Sequence, residues 1–84
     1  MEILIYSSVG CTYCDKIKEL MKRADKQYTE VIWQKLSGDE QEDLQMKYKI
    51  HGFPFVLIDG EPVGGLVETA KLFLEKGLVS SRKK

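Results

Sequence analysis

"GCTYCDKIKEL", residues 10–20, contains both cysteines of the chain, Cys11 and Cys14. Before it runs "EILIYSS" (2–8), which is apolar, β-prone and too short for a helix, and reads as a buried strand. After it the apolar positions Ile17, Leu20, Met21 and Ala24 recur at helical spacing and define one face. Residues 7–10 form a polar loop of the length that joins a strand to a helix. The two thiols therefore lie where a strand gives way to a helix, and the rest of the chain is organised around that junction.

Asp25-Lys26-Gln27 breaks the helical pattern. "YTEVIW" (28–33) is rich in β-branched and aromatic residues and reads as a second strand. Residues 37–48 read as a second helix, because Ser37 and Glu40 fit a capping box. Its apolar side is thin, Leu44 and Tyr48 with Met46 off the stripe, so a short exposed helix is expected. "FVLID" (55–59) is a third strand, Asp59-Gly60 a hairpin turn signal, and "PVGG" (62–65) a fourth strand. Pro62 suits an edge. Leu66, Val67, Ala70, Phe73 and Leu74 make a last helical face, with Gly77 as its C-cap.

The order β-α-β-α-β-β-α is an α/β arrangement. The helix between the first two strands makes them parallel with a right-handed crossover, and the last two form an antiparallel hairpin. One four-stranded mixed sheet flanked by three helices is expected, in a single domain over residues 1–84. A chain of 84 residues is marginal on core burial alone. Its 43% hydrophobic and 31% charged residues are ordinary for a globular protein. Thirteen Lys+Arg balance thirteen Asp+Glu, which excludes the basic footprint of a nucleic-acid binder. Residues 79–84, with Arg82-Lys83-Lys84, are expected to be a frayed, solvated tail. No stretch approaches a membrane span, and residues 1–6 offer neither a basic start nor a long apolar run for a signal peptide. The expectation is a cytoplasmic monomer. In that compartment structural disulfides are rare, and a C-x-x-C is more often redox-active or metal-binding.

A structural disulfide between Cys11 and Cys14 would close a loop of a few residues and gain little entropy. Structural zinc needs about four ligands, and only His51 is available beside the two cysteines, so no metal is expected. Redox chemistry needs nothing further. Positions i and i+3 of a helix are neighbours, so a small adjustment converts dithiol to disulfide. Cys11 at the helix start meets the positive end of the peptide dipoles, which favours the nucleophilic thiolate. Cys14, one turn inside, is placed to resolve a mixed disulfide on Cys11.

At this point the chain resembles the glutaredoxins, of the thioredoxin fold, over about residues 2–76. "CTYC" is similar to the family's C-x-Y-C, "GFPFVLIDG" (52–60) to its T-V-P-x-V-F-I-x-G, and "GGLVE" (64–68) to its G-G-x-x-D. The small size and "CTYCD" are also similar to phage-encoded members. The resemblance implies a glutathione-dependent thiol–disulfide oxidoreductase that reduces protein disulfides and glutathione mixed disulfides. It implies that Pro54 is cis and that Phe53 pairs through its backbone with the cysteinyl of glutathione. Thr12, Tyr13, Gln41, Gly65, Val67 and Glu68 complete the implied glutathione contacts. Independently of the resemblance, Gly64-Gly65 fits equally a tight strand-to-helix turn and the close approach of a ligand backbone at a helix start, where an anion is welcome.

The chain also departs from the family pattern. Thr12 stands where dithiol members usually have Pro, Ser8 where a Lys is common, Gly52 for the Thr of T-V-P, and Val67-Glu68 for a hydroxyl residue and Asp. Asp15 replaces a frequent basic residue. These changes remove charge and hydrogen bonds from a glutathione site, so two other readings stand beside the first. One is a thioredoxin-like electron carrier recharged by a protein reductase, serving an enzyme such as ribonucleotide reductase. The other is a dimer holding a [2Fe–2S] cluster through Cys11 and glutathione.

Overall fold

The computed structural model describes residues 1–79 of the chain. Its sheet has the order β2-β1-β3-β4, so β1 (Ile3–Ser7) and β3 (Phe55–Ile58) are the interior strands. β1 runs parallel to β2 (Thr29–Ile32), with Leu4 opposite Thr29, and antiparallel to β3, with Ile5 opposite Val56. β4 (Glu61–Gly64) is an edge strand, where Pro62 can be accommodated without an N–H. The β3–β4 turn has Asp59 and Gly60 at φ 52° and 82°. Two positive φ values in succession match the twist of the strands they join.

Side chains alternate across a strand, and here both faces are covered. Ile3 and Ile5 of β1, with Val56 and Ile58 of β3, pack against α1 (Thr12–Arg23) and α3 (Leu66–Glu75) through Ile17, Leu20, Met21 and Phe73. Tyr6, Phe55 and Leu57 point the other way, towards Leu44 and Tyr48 of α2 (Gly38–Tyr48). No α2 residue is fully buried, as its thin stripe predicts. Its capping box is present: Glu40 N–H donates to Ser37 Oγ (3.2 Å) and Ser37 N–H to Glu40 Oε1 (3.0 Å).

Helices α1 and α3 end in the same way. Asp25 (φ 57°) and Gly77 (φ 73°) turn left-handed one residue past each cap. The N–H groups that follow close onto orphan carbonyls, Lys26 onto Met21 (2.9 Å) and Leu78 onto Phe73 (2.8 Å).

Three expectations change. Trp33 leaves the second strand and opens a short 3-10 turn, Trp33–Lys35. The buried stripe of α3 is rotated from the expected one: Thr69 and Phe73 are fully buried, while Val67 is 71% and Leu74 39% exposed. The helix seats its heaviest side chain, Phe73, on the sheet, and residue i−4, Thr69, follows it inward. Val79, assigned to the tail, packs with Leu78 on the core, and residues 80–84 lie outside the described residues.

Thr69 Oγ1 is buried and has no hydrogen-bond partner among the described residues. A hydroxyl in that state costs roughly 1–3 kcal/mol. Thr69→Val keeps the shape and removes the penalty, so the thermal midpoint is expected to rise by about 4–8 °C for each ~1 kcal/mol regained. An unchanged or lower midpoint contradicts this account.

One polar cluster ties three elements together. Glu30 Oε2 of β2 accepts from Lys18 Nζ of α1 (2.8 Å) and from Ser7 Oγ of β1 (2.6 Å). Hydrogen bonds from Lys18 and then from Ser7 hold the Glu30 carboxyl below its ordinary range. The hydrogen bond to Glu30 raises the Lys18 ammonium. A depressed carboxyl stabilises the fold above its unfolded value, and that stability is lost as pH falls through the folded value. A raised ammonium stabilises below its unfolded value and loses this as pH rises through the folded one. Glu30→Gln should therefore lower the urea midpoint near neutrality and flatten its decline below about pH 4.3. Parallel acid limbs in the two proteins would exclude Glu30 as a source of that decline.

Candidate active site

Cys11 is the N-cap of α1. Its backbone is extended (φ −92°, ψ 111°), and its Sγ accepts the N–H of Cys14 at 3.1 Å. The chain reaches this position through Gly10, whose φ of 77° is a left-handed turn that favours glycine. Gln34 holds the loop: its Nε2 donates to Ser8 Oγ (2.8 Å) and its Oε1 accepts from Val9 N–H (3.1 Å). Ser8, at the family's lysine position, is thus part of the loop's support. Cys14 sits in the first turn and is 3% exposed, whereas Cys11 is half-buried. The two are disulfide-bonded, with Cα atoms 5.3 Å apart.

The loop before β3 faces them. The Phe53–Pro54 peptide is cis, as the resemblance implies, and Phe53 O lies 3.7 Å from Cys11 Sγ. Beyond Pro54 is the start of α3. Gly64 has φ 124°, and a Cβ there would meet the Glu68 side chain at 3.0–3.2 Å. A Cβ on Gly65 would stand 3.4 Å from Pro54 O. Gly64 is therefore required by its positive φ and by the Glu68 side chain, while at Gly65 the Pro54 carbonyl lies at contact distance. Glu68 Oε1 accepts from Gly65 N–H (2.9 Å), one arm of a capping box that leaves the second carboxylate oxygen without a protein partner among the described residues.

A groove of about 520 Å³ runs between these parts. Tyr13, Phe53, Pro54, Gly65, Val67 and Glu68 all line it, so six of the residues singled out from sequence converge. Thr12 lies on the other side of the disulfide. With Cys11 and Cys14 it lines a smaller cavity of about 330 Å³ that also reaches Asp15, Lys18 and Glu30. Gln41 does not line the groove; its Nε2 donates to Trp33 O (2.9 Å), because the 3-10 turn brings that carbonyl within reach of the first turns of α2.

Lys49 and His51 line the groove and were not anticipated. Lys49 is the left-handed C-cap of α2 (φ 55°), and its N–H donates to Gln45 O (2.8 Å). The end of α2 thus places the Lys49 ammonium and the His51 imidazole in the groove that Phe53 also lines. Their nearness to Phe53-Pro54 in the chain was the one available signal. The groove has one basic end and one carboxylate at the start of α3, which suits a ligand carrying both an anion and an ammonium group. At Cys11, whose Sγ lies 3.7 Å from the carbonyl of the groove-lining Phe53, the N–H of Cys14 and the helix dipole favour negative charge on sulfur.

The glutaredoxin family model matches residues 3–63. Chloroplastic glutaredoxin-C5 of Arabidopsis thaliana is 34% identical over 73 residues, covering 83% of this chain and 42% of that protein. The chain thus spans less than half the length of this curated relative. The dithiolic glutaredoxin 2-C-Grx1 of Trypanosoma brucei brucei has a similar structure, with TM-score 0.76 and 28% identity, covering 92% of this chain and 81% of that one. The buckwheat glutaredoxin–glutathione complex shares the fold, with TM-score 0.76 and 23% identity over 90% of this chain and 71% of that one. The family match takes in the helix-capping Cys11, its partner Cys14 and the cis-proline loop opposite them: the chain belongs to the glutaredoxin family, the thiol–disulfide oxidoreductases of the thioredoxin fold.

Proposed function

We propose that the protein is a dithiol glutaredoxin that reduces protein disulfides and glutathione mixed disulfides, with glutathione as its reductant. The observation that carries this reading is the Cys11 sulfur, placed at a helix N-terminus and 3.7 Å from the carbonyl of Phe53, which lines the groove. The Cys11 thiolate attacks one sulfur of a substrate disulfide. That S–S bond breaks, the other sulfur leaves as a thiolate and takes up a proton, and Cys11 is left in a mixed disulfide. Cys14 loses its proton and attacks the Cys11 sulfur, releasing the reduced substrate and forming the intramolecular disulfide. Two molecules of glutathione then return the pair to the dithiol, becoming one glutathione disulfide.

In this reading the groove holds glutathione extended, with its cysteinyl backbone against Phe53 and its γ-glutamyl end at the start of α3. Gly65 N–H is already occupied by Glu68, and the free oxygen of that carboxylate takes the ligand ammonium. The anionic glycyl end falls to Lys49 and His51 rather than to Gln41. The buckwheat relative's complex with glutathione supports the assignment. The protein acts as a monomer in a reducing compartment such as the cytosol, where the glutathione pool keeps the dithiol charged.

Cys11→Ser is expected to abolish every reductase activity. Cys14→Ser is expected to stop reduction of protein disulfides while keeping part of the turnover of glutathione mixed disulfides, which needs one thiol. Thiol titration should find Cys11 more acidic than a free cysteine at about 8.5. A lower value at Cys14 reverses the two roles.

Glu68→Gln separates a ligand contact from a helix cap. The amide oxygen can still accept from Gly65 N–H, so the thermal midpoint should change little. The lost charge should raise KM for a glutathione mixed disulfide by roughly 1.4- to 5-fold, the effect of one exposed ion pair of about 0.2–1 kcal/mol. Lost stability with an unchanged KM assigns Glu68 to the helix alone.

A further inference from the structure

Leu66 and Val67 line the groove shared with Phe53, whose carbonyl lies 3.7 Å from Cys11 Sγ, and they also line a second one. The second groove runs between α1 and α3, encloses about 640 Å³ and has Leu20, Ala70 and Leu74 along it. Val67 and Leu74 are both exposed. An apolar strip of this kind, bordered by charge and continuous with a reacting centre, marks a surface that another molecule covers.

The border has a sign. Lys16 and Arg23 of α1 and Lys71 of α3 stand around the groove against a single carboxylate, Glu19. Among the described residues Lys18–Glu30 is the ion pair within 4.0 Å, so none of these three cations is closely neutralised. The whole chain has a formal net charge of zero, so the local excess comes from placement and not from composition.

We infer that the α1–α3 groove docks the polypeptide that flanks a target disulfide, and that this segment combines apolar side chains with aspartate or glutamate. The inference rests on the protein-disulfide reading above and names the class of substrate. Charge complementarity selects the occupant. The chain's own Arg82-Lys83-Lys84 carries the same sign as the groove. A second copy in a two-fold contact would set cationic rim against cationic rim. An acidic segment pairs with Lys16, Arg23 and Lys71 while its apolar residues cover Val67 and Leu74, and the path through Leu66 and Val67 delivers its cystine to Cys11. Free glutathione is too small to need this surface, so the groove separates protein substrates from small disulfides.

The test uses two short synthetic peptides with identical leucine and valine positions around a serine in place of cysteine. One carries glutamates and the other lysines at the remaining charged positions. Each is titrated into the 15N-labelled disulfide form of the whole chain. The glutamate peptide should shift the amides of Leu20, Arg23, Ala70, Lys71 and Leu74, and bind about tenfold more tightly than the lysine peptide. Arg23→Glu with Lys71→Glu should weaken it by about tenfold, the worth of two exposed ion pairs. The milder Arg23→Gln with Lys71→Gln should give a smaller loss, and both losses should shrink as salt rises. Turnover of a glutathione mixed disulfide should be unchanged in both variants, which also shows that they fold. Equal affinity for the two peptides, shifts confined to other surfaces, or no binding overturns the inference. So does a wild-type dimer that the variants dissociate. Because the peptides carry no thiol, binding stands apart from the chemistry: absent turnover in the wild type sinks the glutathione reading alone.

Discussion

A single hydrogen bond, from the N–H of Cys14 to the sulfur of Cys11, joins the fold to the chemistry. The first turn of any helix has N–H groups with no partner inside the helix. Here one of them is given to a sulfur atom. The same contact caps α1, sets Cys11 at the positive end of the peptide dipoles and holds Cys14 one turn below it. It requires Cys11 to be extended, which in turn requires the left-handed turn at Gly10 and the brace of Gln34 on Ser8 and Val9. It also requires that α1 not move, and Ile17 and Met21, both fully buried, fix it to the sheet.

The opposite wall depends on close approach of backbones. Pro54 is buried, a Cβ on Gly65 would stand 3.4 Å from its carbonyl, and a Cβ on Gly64 would press on the Glu68 side chain at 3.0–3.2 Å. The carboxylate of Glu68 fills part of the space the glycines leave and caps α3 in doing so. The site is therefore assembled from two helix starts, α1 and α3, brought together on one face of the sheet. Both helices direct N–H groups toward the site, which is an environment for anions.

The other face is built differently. Tyr6, Trp33, Phe53, Phe55 and Tyr48 form a chain of aromatic contacts, with Trp33 and Phe53 ring centroids 5.4 Å apart and Tyr48 and Phe55 5.8 Å apart. Burial, and then the neighbouring Tyr48, push the Tyr6 phenol above its ordinary value. Large rings compensate for the thin apolar stripe of α2. Phe53 belongs both to this layer and to the loop against Cys11, so packing under α2 sets the position of the active-site loop.

The sequence by itself determined the element order, the capping box read from Ser37 and Glu40, the hairpin turn read from Asp59-Gly60, and the pairing of Cys11 with Cys14. Each of these is a short-range matter, governed by periodicity, turn chemistry and the reach of i to i+3. It also singled out the residues of three separate motifs, at 11–14, 52–54 and 64–68, but spacing along the chain does not state that they meet. Tertiary structure decided that, because the order β2-β1-β3-β4, with β3 antiparallel to both neighbours, puts the end of β1, the start of β3 and the end of β4 together at one end of the sheet. It also decided what no local pattern carries. The turn at Trp33 drew Gln41 away from the groove, and the left-handed cap at Lys49 brought Lys49 and His51 into it. The rotation of α3 about Phe73 buried a hydroxyl and exposed Val67 and Leu74, since a helical stripe with several near-equal faces is oriented by the neighbour it packs on and not by its own sequence.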